Sequence, residues 1–76
     1  MMILDPSIQP RLHIRYVNYR ANVSERIIRI KSVRFGTSQW HTQAQWLALA
    51  WDFDKAAERE FALADIEVLR VEQDRV

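Results

Sequence analysis

Gln45-Trp46-Leu47-Ala48-Leu49-Ala50-Trp51-Asp52 runs into the polar connection Phe53-Asp54-Lys55-Ala56-Ala57-Glu58, and then into Arg59-Glu60-Phe61-Ala62-Leu63-Ala64-Asp65-Ile66. Two apolar, aromatic-bearing runs around a short charged connection read as strand, turn, strand. A helix competes over residues 45–52, because Ala and Leu both favour it. The run is short, Trp46 and Trp51 are bulky, and the turn comes too early for a helix, so the strand is preferred.

The neighbouring segments follow the same logic. Leu12, Ile14 and Tyr16 alternate with His13, Arg15 and Val17, the period of two expected of a strand. Ala21-Asn22-Val23-Ser24 supplies a turn, with Asn22 placed to take the left-handed conformation. Glu25 to Phe35 is the second strand, and its adjacent Ile27 and Ile28 predict a bulge there. Gly36, the only glycine, ends it at a position suited to positive φ. Strands three to five are expected over Gln45–Asp52, Arg59–Leu63 and Ile66–Val71. Residues 1–10, with Pro6 and Pro10, form a lead-in with at most a short turn at Ser7, and residues 73–76 form a polar tail. The expected fold is all-β, a small five-stranded SH3/Sm-like barrel over residues 11–72.

Seventy-six residues, 49% of them hydrophobic, make one domain with a core of modest stability. The absence of cysteine excludes a disulfide scaffold and a thiolate metal site, and fits a reducing cytoplasm. No apolar run approaches the roughly 20 residues that cross a bilayer, so no membrane partner is expected. The start Met1-Met2-Ile3-Leu4-Asp5 has neither the basic residues nor the long apolar stretch of a signal peptide.

The net charge of +1 conceals an uneven distribution. Residues 1–35 carry seven basic and two acidic side chains, a net of +5, and residues 36–76 carry four basic and eight acidic, a net of −4. Such asymmetry marks either a surface for an anionic partner or strands that pair across their charges. Small barrels juxtapose their halves, which favours the second reading.

Among candidate functional residues, Tyr16, Trp46, Trp51, Phe53 and Phe61 are assigned first to the core, with Trp46 its anchor. Trp40 lies in a polar loop beside His41, where an amphipathic ring fits either a binding surface or a loop folded over the barrel end. The two histidines, His13 and His41, are distant and have no third ligand nearby, so no metal is expected. Asp52 and Asp54 are read as turn residues. No cysteine nucleophile, Gly-x-Ser-x-Gly elbow or glycine-rich phosphate loop is present, and no serine has a histidine beside it in sequence. The expectation is a non-enzyme without cofactor. The arginines carry the functional case, because planar guanidinium groups beside aromatic rings bind phosphate and bases. Arg26 and Arg29 are an odd number of residues apart, so a regular strand sends them to opposite faces unless a bulge realigns them.

Several of these segments resemble the WYL domain, a bacterial ligand-sensing module. The signature appears as Gln45-Trp46-Leu47, with Ile14-Arg15-Tyr16 and Ser24-Glu25-Arg26-Ile27-Ile28-Arg29 before it and Arg59-x-Phe61-x-Leu63 after it. Trp40-His41 followed by Gln45-Trp46-Leu47 is similar to one subgroup. The resemblance covers about residues 12–71 and implies an Sm-like SH3 barrel that senses a nucleotide or single-stranded nucleic acid in transcription regulation. It carries Tyr16, Arg26, Trp46 and Arg59 onto family positions. Ile30 stands where the family has proline, and Ala62 and Asp65 stand at later basic positions, which removes part of the positive groove. The resulting ligand-binding set is Tyr16, Arg26, Arg29, Trp40, His41 and Arg59. The alternative is a protein-interaction module acting as a homo-oligomer, through its aromatic loop or an open strand edge.

Overall fold

The structure, a computed structural model, describes residues 1–5 and 7–72; the expected polar tail lies outside the described residues. Six strands form one antiparallel sheet: β1 (Met2–Ile3), β2 (Arg11–Val17), β3 (Val23–Gly36), β4 (Gln45–Asp52), β5 (Ala57–Ala62) and β6 (Ile66–Glu72). A 3-10 turn, Leu63–Asp65, joins β5 to β6. The order is β5-β4-β3-β2-β6, with β1 added to β3. The fold class is therefore all-β, as expected. The strand count is six rather than five, because Met2 and Ile3 of the lead-in pair with Val33 and Ser32. The edge strands β5 and β6 make no ladder with each other among the described residues. Among the described residues no helix is long and apolar enough to cross a membrane.

β3 organises the sheet. Its first half pairs with β2, from Leu12↔Ile28 to Val17↔Val23, and its second half pairs with β4, out to Gly36↔Gln45. The register breaks between Ile30 and Ser32, so the bulge falls at Lys31 and not at Ile27–Ile28. Ile27 and Ile28 instead keep regular alternation, with Ile28 inward and fully buried and Ile27 outward. A second break, between His13 and Ile14 on the β2–β6 ladder, leaves Leu69 without an opposing residue.

The core gathers Ile14, Tyr16, Ile28, Ala50 and Phe61, with Leu12, Ile30 and Ile66 packed against it. Burying each large aliphatic or aromatic side chain contributes about 1.5–3 kcal/mol. The rings of Tyr16 and Phe61 meet edge to face at 4.9 Å. Trp46 does not anchor this core. It is 53% exposed and lies edge to face with exposed Phe35, at 5.4 Å between centroids. The reason is positional: Trp46 begins β4, opposite the end of β3, and the inward positions deeper in the strand belong to Ala48 and Ala50. Trp51 points outward, opposite Arg29 and Glu58. Phe53 is half-buried, with the Arg11 and Arg29 guanidinium carbons 4.5 and 5.5 Å from its ring centre.

The β2–β3 and β4–β5 hairpins use the same turn device. Asn18 Oδ1 accepts the backbone N–H groups of Arg20 and Asn22, and Asp52 Oδ1 accepts those of Asp54 and Lys55. Each turn then places an alanine in the left-handed region, Ala21 at φ 62° and Ala56 at φ 51°. Asn22 is thus not the left-handed residue; the side chain that caps the turn belongs to Asn18, three residues before Ala21. Gly36 has no positive φ either. A Cβ there would lie 2.8 Å from Nη1 of Arg34, the far end of a flexible side chain that would have to move aside.

The charge asymmetry is largely consumed inside the sheet. Arg15 pairs with Glu67, Arg26 with Asp52, Lys31 with Glu58 and Arg34 with Glu60, each joining a basic residue of the first half to an acidic one of the second.

Candidate functional site

One end of the sheet holds a cleft of about 390 Å³. Its floor is Tyr16 of β2 and Arg26 of β3, both on the inward face. Arg59 of β5, opposite Ala50, stands on the same face across the opening. Two loops build the rim: the β2–β3 hairpin supplies Asn18 and Tyr19, and the β3–β4 loop supplies Trp40 and His41. Lys55, in the β4–β5 turn, completes the lining beside Glu60.

The structure thus brings together Tyr16, Arg26, Trp40, His41 and Arg59, five of the six residues expected from sequence. Arg29 is elsewhere. It lies three residues from Arg26, before the bulge at Lys31, so nothing realigns it. It points to the outer face, toward Phe53. Tyr19, Asn18 and Lys55 were not foreseen. The available signals were an aromatic residue in a hairpin loop and a lysine in the turn following β4.

The cations of the cleft are not equivalent. Arg26 is largely buried: its Nη1–H donates to Asp52 Oδ2 at 3.2 Å and its Nε–H to Ser24 Oγ at 3.2 Å. Asp52 is fully buried and also caps the β4–β5 turn, so one carboxylate fixes both Arg26 and the backbone at Lys55. Glu60, the acid of the lining, is engaged by Arg34 through two hydrogen bonds of 2.9 Å. Neither Arg59 nor Lys55 takes part in an ion pair among the described residues. Arg59 and Lys55 are thus the two cleft cations without an ion pair among the described residues, while the Asp65 carboxylate acts on Tyr16 from the same region. Tyr16 sits between these groups. Burial pushes its phenol above the ordinary value, against the opposing pull of Arg59 and Arg26.

On the rim, the rings of Tyr19 and Trp40 stack at 5.2 Å and 26° while both remain exposed. Arg20 Nε–H donates to the Tyr19 hydroxyl at 3.1 Å. The loop carrying Trp40 is held by a compact turn: Ser38 N–H donates to His41 O at 2.8 Å, and Ser38 Oγ accepts from the backbone of Trp40 and His41. Ser38 Oγ lies 3.2 Å from His41 Nδ1, and His41 Nε2 lies 3.6 Å from Asp65 Oδ2. Serine, histidine and aspartate are therefore aligned in space. The oxygen of Ser38 also accepts two backbone N–H groups, which ties it to the turn. The alignment positions His41 and Trp40 over the cleft.

The described residues contain no cluster of three or more metal-ligating side chains. Two other depressions are mostly apolar, one at Phe35, Trp46 and Leu63 and one at Met1, Leu4 and Leu49. Comparison with protein-family models, curated proteins and solved structures finds no match to this chain.

Proposed function

We propose that this chain is a WYL-like sensor domain that binds a nucleotide or single-stranded nucleic acid in the Tyr16–Arg59 cleft. The observation that carries the reading is the pairing of two cations, Arg59 and Lys55, which make no ion pair among the described residues, with an exposed aromatic stack, Tyr19 on Trp40, around one opening. Phosphate groups take the cations, with Arg26 held ready behind them by Asp52. A base lies against the exposed face of the stack, an interaction open to every base because each has a π-face. Asn18 and His41 border the same opening and offer hydrogen bonds. The role is binding without catalysis, in cytoplasmic transcription regulation. The strand order, the 3-10 turn between the two edge strands and the sharing of β3 by both halves support an SH3/Sm-type barrel left open along one seam.

The test is binding of a fluorescently labelled oligothymidylate at several salt concentrations. Two phosphate contacts, at Arg59 and Lys55, predict a log–log slope of about −1.4, from about −0.7 per contact on single strands. Arg59→Ala is expected to weaken binding and to reduce the slope by about 0.7. Absence of binding, or binding indifferent to salt, removes the phosphate role from the cleft.

A further inference from the structure

We propose that β6 is the contact strand of a symmetric homodimer, pairing antiparallel with β6 of a second copy. The inference is independent of the cleft and rests on the two sheet edges being unlike. The outer strand β5 carries Glu58, Arg59 and Glu60, with Glu58 and Glu60 drawn into ion pairs by Lys31 and Arg34; an edge so charged resists pairing. The other edge, β6, exposes three aliphatic side chains in four residues: Val68 at 50%, Leu69 at 38% and Val71 at 52%. Its outward backbone groups have no ladder partner among the described residues.

The bulge decides what that edge can pair with. Ile66, Val68 and Val71 lie opposite Tyr16, Ile14 and Leu12, so they share the inward face. Glu67 and Arg70 lie opposite Arg15 and His13 and share the outer face. In a regular strand, positions 67 and 70 would point to opposite sides. The extra residue, Leu69, shifts the alternation and puts them on the same side. Ile66-Glu67-Val68-Leu69-Arg70-Val71 then becomes self-complementary about its centre: apolar, acidic, apolar, apolar, basic, apolar.

A two-fold axis between Val68 and Leu69 sets Ile66 against Val71 of the second copy, Val68 against its Leu69, and Glu67 against its Arg70. Each contact occurs twice, as an isologous interface requires. The charged residues already belong to intramolecular pairs, Arg15–Glu67 and Arg70–Glu72, both at 2.6 Å. Across the seam they extend to a row of alternating sign, Arg15, Glu67, then Arg70 and Glu72 of the second copy. Opposite charges facing one another across strands are favourable and like charges are not. A contact of six residues per strand is small, so a weak dimer is expected.

Analytical ultracentrifugation of the full chain, from low micromolar to millimolar protein, tests this. A monomer–dimer equilibrium is expected. Glu67→Arg or Arg70→Glu alone turns two attractions into repulsions and raises the dimer dissociation constant about tenfold. The double exchange, E67R with R70E, restores it. Far-UV circular dichroism checks that each variant is folded. As a measurement needing no variant, hydrogen exchange at β6 amides slows as protein concentration rises. A chain monomeric throughout, an assembly larger than a dimer, a dimer indifferent to both exchanges, or β6 exchange independent of concentration overturns the proposal.

Discussion

The guanidinium of Arg26 stands 3.2 Å from the carboxylate of Asp52, a side chain with no solvent exposure. The same carboxylate accepts N–H groups from Asp54 and Lys55, so the position of a cleft arginine and the shape of the β4–β5 turn depend on one residue. Removing one member of a buried pair leaves the other uncompensated, which costs more than the pair contributes. Asp52→Ala is expected to lower unfolding free energy by about 3 kcal/mol in urea denaturation. Asp52→Asn keeps an oxygen for the turn and is expected to cost less. Equal losses in the two variants would assign the whole effect to charge rather than to turn capping.

Tyr16 links the core to the cleft and makes base stability a readout of its burial. Its phenol is held above the ordinary value of 10.0, chiefly by burial. A group raised in the folded state stabilises fully below its unfolded value and loses that contribution as pH climbs through the folded one. Stability should therefore be insensitive to Tyr16 below pH 10 and fall above it. Tyr16→Phe should abolish that part of the fall, and the late tyrosinate absorbance at alkaline pH should vanish with it. An unchanged alkaline limb in Tyr16→Phe would show that other groups govern it.

The alanines at positive φ are opportunities for stabilisation. A left-handed residue other than glycine costs about 1–2 kcal/mol, partly offset by the greater freedom glycine has when unfolded. Ala21→Gly and Ala56→Gly are each expected to raise unfolding free energy by about 0.5–1 kcal/mol. A loss in either case would mean that the alanine methyl group makes packing contacts worth more than the backbone strain.

Alternation made much of this fold and site readable. β4 occupies Gln45–Asp52 as expected, and the odd spacing of Arg26 and Arg29 correctly separated them once no bulge intervened. What alternation could not supply was how far each strand overshoots the core. Trp46 and Ala48 share an inward parity, yet the alanine is buried and the tryptophan lies exposed at the strand's start. Hydrophobicity ranks which side chain gains more by burial, whereas register decides which one has a wall opposite it. The bulge at Lys31 and the left-handed Ala21 were hidden for a related reason. Each is imposed by pairing and turn geometry, and neither residue type announces it. Cross-strand charge pairing was the better reading of the uneven charge, and Asp52 shows it at the cleft itself.

Gly36 offers a test of a steric role in place of a conformational one. A methyl group at this position would meet the Arg34 guanidinium, which hydrogen-bonds Glu60 and the Thr37 carbonyl. Gly36→Ala is expected to displace the movable end of Arg34 and so to lower the urea midpoint only slightly. In an Arg34→Ala background the same substitution should be nearly silent. A cost that persists there would locate the constraint in the backbone, contrary to the absence of positive φ at Gly36.

Trp40 and Trp46 separate cleft from surface in one comparison. Both are exposed aromatic residues, but Trp40 stacks on Tyr19 at the cleft rim, whereas Trp46 leans on Phe35 in a separate apolar depression. If a base stacks on the rim, Trp40→Ala removes about 1–3 kcal/mol of oligonucleotide binding, a loss of roughly fivefold or more. Trp46→Ala should leave the affinity unchanged, and Arg29→Ala should leave the salt slope unchanged, because that arginine is on the opposite face. Fluorescence anisotropy at fixed salt measures all three. Equal losses from Trp40→Ala and Trp46→Ala would move the binding surface off the cleft and toward the Phe35–Trp46 patch. A changed salt slope in Arg29→Ala would show that phosphate reaches the outer face of β3.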